Sequence, residues 1–348
     1  MSDINQVSNG RGRVRWHWKK PAAKTKSATS KALPGWKVAG APGALTTDMV
    51  RLIRRDPRLR VPGSSPWMKA PTPEDARSNS KKAAKSLKHK AFRKVSGASA
   101  LSIIIGSCRK KSPCGSQGCF WCGQMDQRWL VTALAPVLSK SDKGYSDWAF
   151  NFVMPEGQTA IHSLPAAQLG PLIERIRRAL LASPRVLFAA LGIDISANDD
   201  TEKFLRGRLH DGQKRYFQAH VYGVVRAESR DDIWRALRDL FGTAPNIYRP
   251  LWVSPEPFDG SAKGVSYILK PQGFRHIAYL NHEGHWKTRK PSPKLKPREQ
   301  VYYLLAMNKL GLAHRIGFVG LHPVVVRATT STPATVVLRR VARKASAK

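Results

Sequence analysis

All four cysteines of this 348-residue chain lie in one short segment, Cys108, Cys114, Cys119 and Cys122. The spacing is C-x5-C-x4-C-x2-C and closes with Cys119-Phe120-Trp121-Cys122. Thiolates are soft ligands, and four of them in a tetrahedron suit Zn²⁺. Two thiolates across a C-x2-C knuckle reach one ion with little strain. A full shell of four cysteines leaves no open position, so such a site is structural. Lys110 and Lys111 beside the cluster favour thiolate and offset its charge. The alternative is a set of buried or unpaired thiols. Disulfides are disfavoured because the polar N-terminus, Met1-Ser2-Asp3-Ile4-Asn5, has no apolar signal region and the chain is expected in the reducing cytoplasm.

Charge speaks to partners. Lys and Arg number 60 against 23 Asp and Glu, a formal net charge of +37. A surplus of that size attracts polyanions and releases counterions from phosphates. Nucleic acid is the expected partner and a solvated basic surface the plain alternative. A membrane is not expected, since no apolar run approaches the ~20 residues of a spanning helix. The 10 Trp serve packing or base stacking.

Residues 1–98 read as a basic, largely disordered arm with one helix candidate, Thr47 to Arg55. Within it Lys81, Lys82, Lys85, Lys88, Lys90, Arg93 and Lys94 form a run that is either a solvated helix or a nucleic-acid-tracking arm. Residues 99–145 read as the cysteine-cluster zinc module, with a helix from Met125 to Leu138. Residues 146–325 read as the main domain. Strands are expected over Trp148–Met154 (stopped at Pro155), Val186–Ile195 and Arg215–Val225, and an extended segment over Ile247–Val253. Helices are expected over Ala167–Ala182, Asp231–Phe241 after a Ser229 cap, from Ala262, and over Pro297–Leu310 ended by Gly311. The order suggests an α+β fold, an antiparallel sheet with helices on one face. Residues 326–348 read as a basic tail.

Two further groups of residues could carry chemistry. On a strand, Gln218 and His220 share a face two residues apart and could share one ion. Asp194, an acid inside an apolar run, could complete that site, since such an acid is costly unless paired or bound. Taken alone, the pattern favours a strand with one satisfied histidine and an ordinary acid. If Gly264 to Lys270 is helical, Tyr267 and Lys270 share a face one turn apart. A tyrosine can attack phosphorus covalently, and an adjacent ammonium favours phenolate and steadies developing phosphate charge.

Taken in order, these signals resemble the HUH superfamily of rolling-circle replication initiators, specifically plasmid and phage initiators with a cysteine cluster. The resemblance runs from about Cys108 to Gly320. It implies a palm-like antiparallel sheet, a divalent Mg²⁺ or Mn²⁺ at the histidine motif, and a covalent link between tyrosine and a DNA 5′ end. It makes His220 the second motif histidine, with Gln218 standing where the first belongs. It makes Asp194 the accessory acid, Tyr267 the single nucleophile and Lys270 the lysine after it. The implied partners are single-stranded DNA at a replication origin and a host helicase. The function expected is nicking and joining of that DNA. An inactive DNA-binding protein of the same fold, and a zinc-containing RNA-binding protein, are the alternatives.

Overall fold

The computed structural model describes residues 6–9, 13–16, 44–60, 72–109, 111–199, 215–240, 250–280, 286–288, 292–327 and 333–341. The chain divides into two units, Met1–Ala39 and Gly40–Lys348. The first contains an antiparallel hairpin, β1 (Gln6–Asn9) with β2 (Arg13–Trp16). The second contains every other element.

The second unit is α+β, as expected, but helices cover both faces of its sheet and not one, because both faces carry apolar residues. Its frame is a seven-stranded sheet made of β3 (Ser146–Ala160), β4 (Val186–Asp199), β5 (Arg215–Ala227), β6 (Leu251–Val253), β7 (Arg275–Leu280), β8 (Trp286–Thr288) and β9 (Ile316–Val319). The order is β6-β3-β5-β4-β7-β8, with β9 also on β4. Pairing is antiparallel except for β4 with β7. Side chains alternate across a strand, and β5 uses both faces. Phe217, Ala219, Val221 and Val225 are buried on one face, while His220 and Tyr222 on the other are only partly buried. Helix α5 (Gly170–Ala182) covers the apolar face with Leu172, Ile173, Ile176 and Leu180, and α6 (Arg230–Leu237) adds Ile233 and Leu237. The Ser229 cap of α6 is present, its hydroxyl accepting from the Asp232 amide at 3.3 Å.

The opposite face carries the site. Helix α7 (Ala262–Ser266) and the 3-10 turn Tyr267–Leu269 cross it, backed by α4 (Phe120–Leu138). This close approach needs Gly192, because a Cβ there would stand 2.0 Å from the Ile268 carbonyl oxygen. Helix α8 (Pro297–Arg315) breaks at Gly311, which takes φ 65°, so the expected stop is real and one further turn follows it.

Several boundaries differ from expectation. Strand β3 does not stop at Pro155. Its register with β5 slips between Val153 and Gln158, and the strand continues to Ala160 past a bulge. Helix α4 starts at Phe120, not Met125, so Cys119 is its N-cap. The supposed arm contains, besides the expected α1 (Thr47–Arg55), a second helix α2 (Pro73–Leu87), and α3 (Ala98–Gly106) opens the expected zinc module. These helices join the main core through Ile53, Ala76, Ala83, Leu87, Leu101 and Ile105, so the 1–98 and 99–145 divisions do not stand as separate bodies there. The supposed tail holds β11 (Thr335–Arg340), paired with β10 (Leu321–Val326), and the Trp129 indole donates to the Val336 carbonyl at 2.9 Å. The extended segment expected from Ile247 lies partly outside the described residues.

Candidate functional site

The cysteines converge as their spacing implies. Cys108 follows α3, Cys114 sits in the loop, Cys119 caps α4 and Cys122 lies in its first turn. Their sulfurs all lie within 4.8 Å of one another, with Cys108 to Cys122 at 3.8 Å and Cys114 to Cys122 at 3.7 Å. A tetrahedron with a metal–sulfur bond of ~2.3 Å has an edge of about 3.8 Å, so the donor set fits one ion such as zinc. The positive end of α4 points at these sulfurs and favours thiolate. Hydrogen bonds from the Cys108, Cys114 and Cys122 thiols hold Cys119 well below its ordinary range, against its burial, and Ser80 helps. Lys111 is exposed, and Lys110 lies outside the described residues.

The second cluster lies on the sheet face under α7. Lys270 leaves the 3-10 turn and its ammonium reaches the Asp194 carboxylate at 2.9 Å. The same ammonium lies 4.1 Å from the centre of the Tyr222 ring and 4.8 Å from that of Tyr267. His220 stacks on Tyr222 at 6.1 Å and meets His276 edge-on at 6.4 Å. Thus Asp194, His220, Tyr267 and Lys270 come together from β4, β5 and the turn after α7. Tyr222 and His276 join them. Tyr222 was within reach of strand alternation, two residues beyond His220. His276 had no sequence signal, because its place depends on the β4–β7 pairing of Asn198 with His276.

Electrostatics sorts these groups. Burial opposes the Lys270 charge, yet Asp194 and Tyr222 outweigh it and hold Lys270 above its ordinary value. Burial raises Tyr222 against the pull of Lys270. Burial pushes the His220 imidazole down to about 3, against the pull of Asp194, so it is neutral at physiological pH. The Ser196 hydroxyl lies 2.8 Å from His220 Nε2 and 3.3 Å from the Asn198 amide oxygen. His220 Nδ1 and Asp194 Oδ1 are buried without a hydrogen-bond partner among the described residues.

The residues expected to hold a divalent ion make contacts of their own. The Gln218 amide nitrogen donates to the Met154 carbonyl at 2.7 Å and the Ala219 carbonyl at 3.0 Å. Gln218 therefore pins the β3 bulge through its amide nitrogen. Asp194 is held by Lys270, and His220 by Ser196. Among the described residues, the only group of three or more His, Cys, Asp or Glu placed to hold one ion is the cysteine cluster.

The two clusters are joined by a buried polar chain. Arg54 of α1 grips Asp126 of α4 through two bonds, at 3.0 and 2.8 Å, and donates to the Gly115 carbonyl in the cysteine loop. Gln117 donates to Asp126 and accepts from Arg315 at 2.9 Å. Arg315, wholly buried, donates to the carbonyls of Ile193 (3.1 Å) and Lys270. These carbonyls flank the Asp194–Lys270 pair.

The basic run lies on α2 and the turns after it, with Lys81, Lys82, Lys85, Lys88, Lys90, Arg93 and Lys94 all exposed. No helix among the described residues is long and apolar enough to cross a membrane. Comparison with family models, curated proteins and solved structures finds no match for the chain.

Proposed function

We propose that this protein nicks and joins single-stranded DNA at a replication origin, using Tyr267 as nucleophile, with zinc on the four cysteines as a structural element. One observation carries the reading: Tyr267, Lys270, Asp194 and His220, from three separate stretches, meet on one sheet face. The histidine stands on β5 between β3 and β4, antiparallel to both, which supports the palm-like reading. In the reaction, the phenolic oxygen of Tyr267 attacks phosphorus as the bond to the 3′ oxygen breaks. The phenol's proton ends on that 3′ oxygen, leaving a 3′ hydroxyl and a 5′ phosphotyrosine. Joining is the reverse. Exposed lysines on α2 supply phosphate contacts that hold the strand without reading its sequence.

The test uses oligonucleotides tiling both strands of the replicon that carries the gene, labelled on the 3′ side of any nick. A labelled adduct that survives denaturant and maps to Tyr267 is expected. Tyr267→Phe should abolish it while DNA affinity stays within about twofold, since one hydroxyl is lost. Binding of all oligonucleotides with no adduct from any would leave a DNA-binding protein in place of an enzyme.

A further inference from the structure

The catalytic-site cluster contains a cation of its own. Lys270 is 16 % exposed and Asp194 7 % at their side chains, and their contact is 2.9 Å. Two aromatic faces, Tyr222 and Tyr267, flank the ammonium at cation–π range. A carboxylate and two rings around one positive charge are the surroundings a bound cation would have. Of the atoms around it, Asp194 Oδ2 is taken by Lys270, His220 Nε2 by Ser196 and the Gln218 amide nitrogen by the bulge, while Asp194 Oδ1 and His220 Nδ1 stay open, so the charge of Lys270 is what stands against a metal ion there. Admitting a divalent ion to Asp194 would bring a second and third positive charge against an ammonium that is already there. At such separations in a partly dry site that repulsion is severe.

We propose that the ammonium of Lys270, held by Asp194, is the cation that meets the phosphodiester, and that strand transfer by this protein needs no divalent ion. This rests on the nuclease reading above. An ammonium has three N–H donors; Asp194 takes one and the Tyr222 hydroxyl a second. The third is available to a non-bridging oxygen on which charge builds as the Tyr267 oxygen bonds to phosphorus. Lys270 stays protonated throughout, so it enters and leaves the step unchanged. Asp194 positions it and does not touch the substrate. Donors of this kind act through the transition state, so their loss appears in kcat more than in binding.

The experiment measures adduct formation by the full chain with and without EDTA, with zinc retention checked by metal analysis in the same samples. The rate is expected to change less than about twofold on adding EDTA, or on adding back Mg²⁺ or Mn²⁺. Lys270→Met should lower it by about 10²- to 10³-fold, the usual loss for one charge-stabilising donor. Because that variant strands a buried carboxylate, Asp194→Asn/Lys270→Met removes both charges together and should be as slow yet normally folded. Mn²⁺ titrated against the wild type and followed by electron spin resonance should find no saturable site. A rate that rises saturably from background with Mg²⁺ or Mn²⁺, alongside a stoichiometric Mn²⁺ signal lost in His220→Ala, overturns the proposal while leaving the nuclease reading intact. No adduct under either condition overturns both.

Discussion

At the scale of single residues, His220 tests the description of the site without any substrate. Its imidazole is depressed from about 6.5 in an unfolded chain to about 3 in the fold, chiefly by burial. Between those values the unfolded state binds the extra proton, so stability must rise with pH across that window and fall as acid is added. The loss is up to about 1.4 kcal/mol per pH unit for one such group. Urea denaturation of wild type between pH 7 and pH 4 should therefore show a steeper decline than the same series on His220→Gln. Parallel curves for the two proteins would place His220 in contact with water and remove the neutral ring from the site. Some of this neighbourhood was legible in the sequence. An acid within the apolar run Leu191-Gly192-Ile193-Asp194-Ile195 needs a partner, and Lys270 pairs with one of its oxygens. Gln218 has a structural role that the sequence pattern does not show. Alternation gives the face a residue occupies, but not whether a neighbouring strand will bulge and claim its amide.

At the scale of elements, α2 is the clearest divergence between pattern and fold. Its lysines dominate the sequence, so the stretch reads as an arm. Its buried face is made of small residues, Ala76, Ser80, Ala83 and Ala84, closed by Leu87. Small side chains carry little hydrophobic signal yet let two helices approach closely. The start of the helix was also written locally. The Thr72 hydroxyl accepts from the Asp75 amide at 3.1 Å, and the Asp75 carboxylate accepts from the Thr72 amide at 3.3 Å. Pro155 misled in the opposite direction, because a bulge lets a strand pass a residue that cannot donate. The exposed face of α2 yields a direct prediction. Changing Lys81, Lys82, Lys85 and Lys88 to Gln keeps the cap and the buried stripe, so the helix should persist. If each lysine contacts a phosphate, the log–log salt slope for single-stranded DNA should flatten by about 0.7 per residue, near 3 in all. The weakening should be the same for every sequence. An unchanged slope would make this face merely solvated.

For the unit 40–348, the main consequence is that the cysteine cluster and the chemical cluster are not independent. The cysteines were legible because their ligands are nearly contiguous. The chain of contacts from them was not, because it closes over long separations: Arg54 to Asp126, Gln117 to Arg315, and Arg315 to the carbonyls of Ile193 and Lys270. A buried guanidinium is expensive to leave unmatched, so Arg315 fixes those two carbonyls only while Gln117 stays in place. Gln117 lies between Cys114 and Cys119, so a metal closing the loop would also hold Gln117 to its task. Structural zinc contributes on the order of 10 kcal/mol to a small module, enough to govern the loop's order. Hydrogen exchange separates the links. Stripping zinc, or Cys119→Ser, should raise exchange at the start of α4 and also at Ser266 to Lys270, far along the chain. Arg315→Met should raise exchange at Ile268 to Lys270 while the bound zinc and the first turn of α4 stay as they were. A zinc-free protein whose exchange rises only around the cysteines would break the link at Gln117, and Lys270 would then owe its position to Asp194 and the tyrosine rings alone.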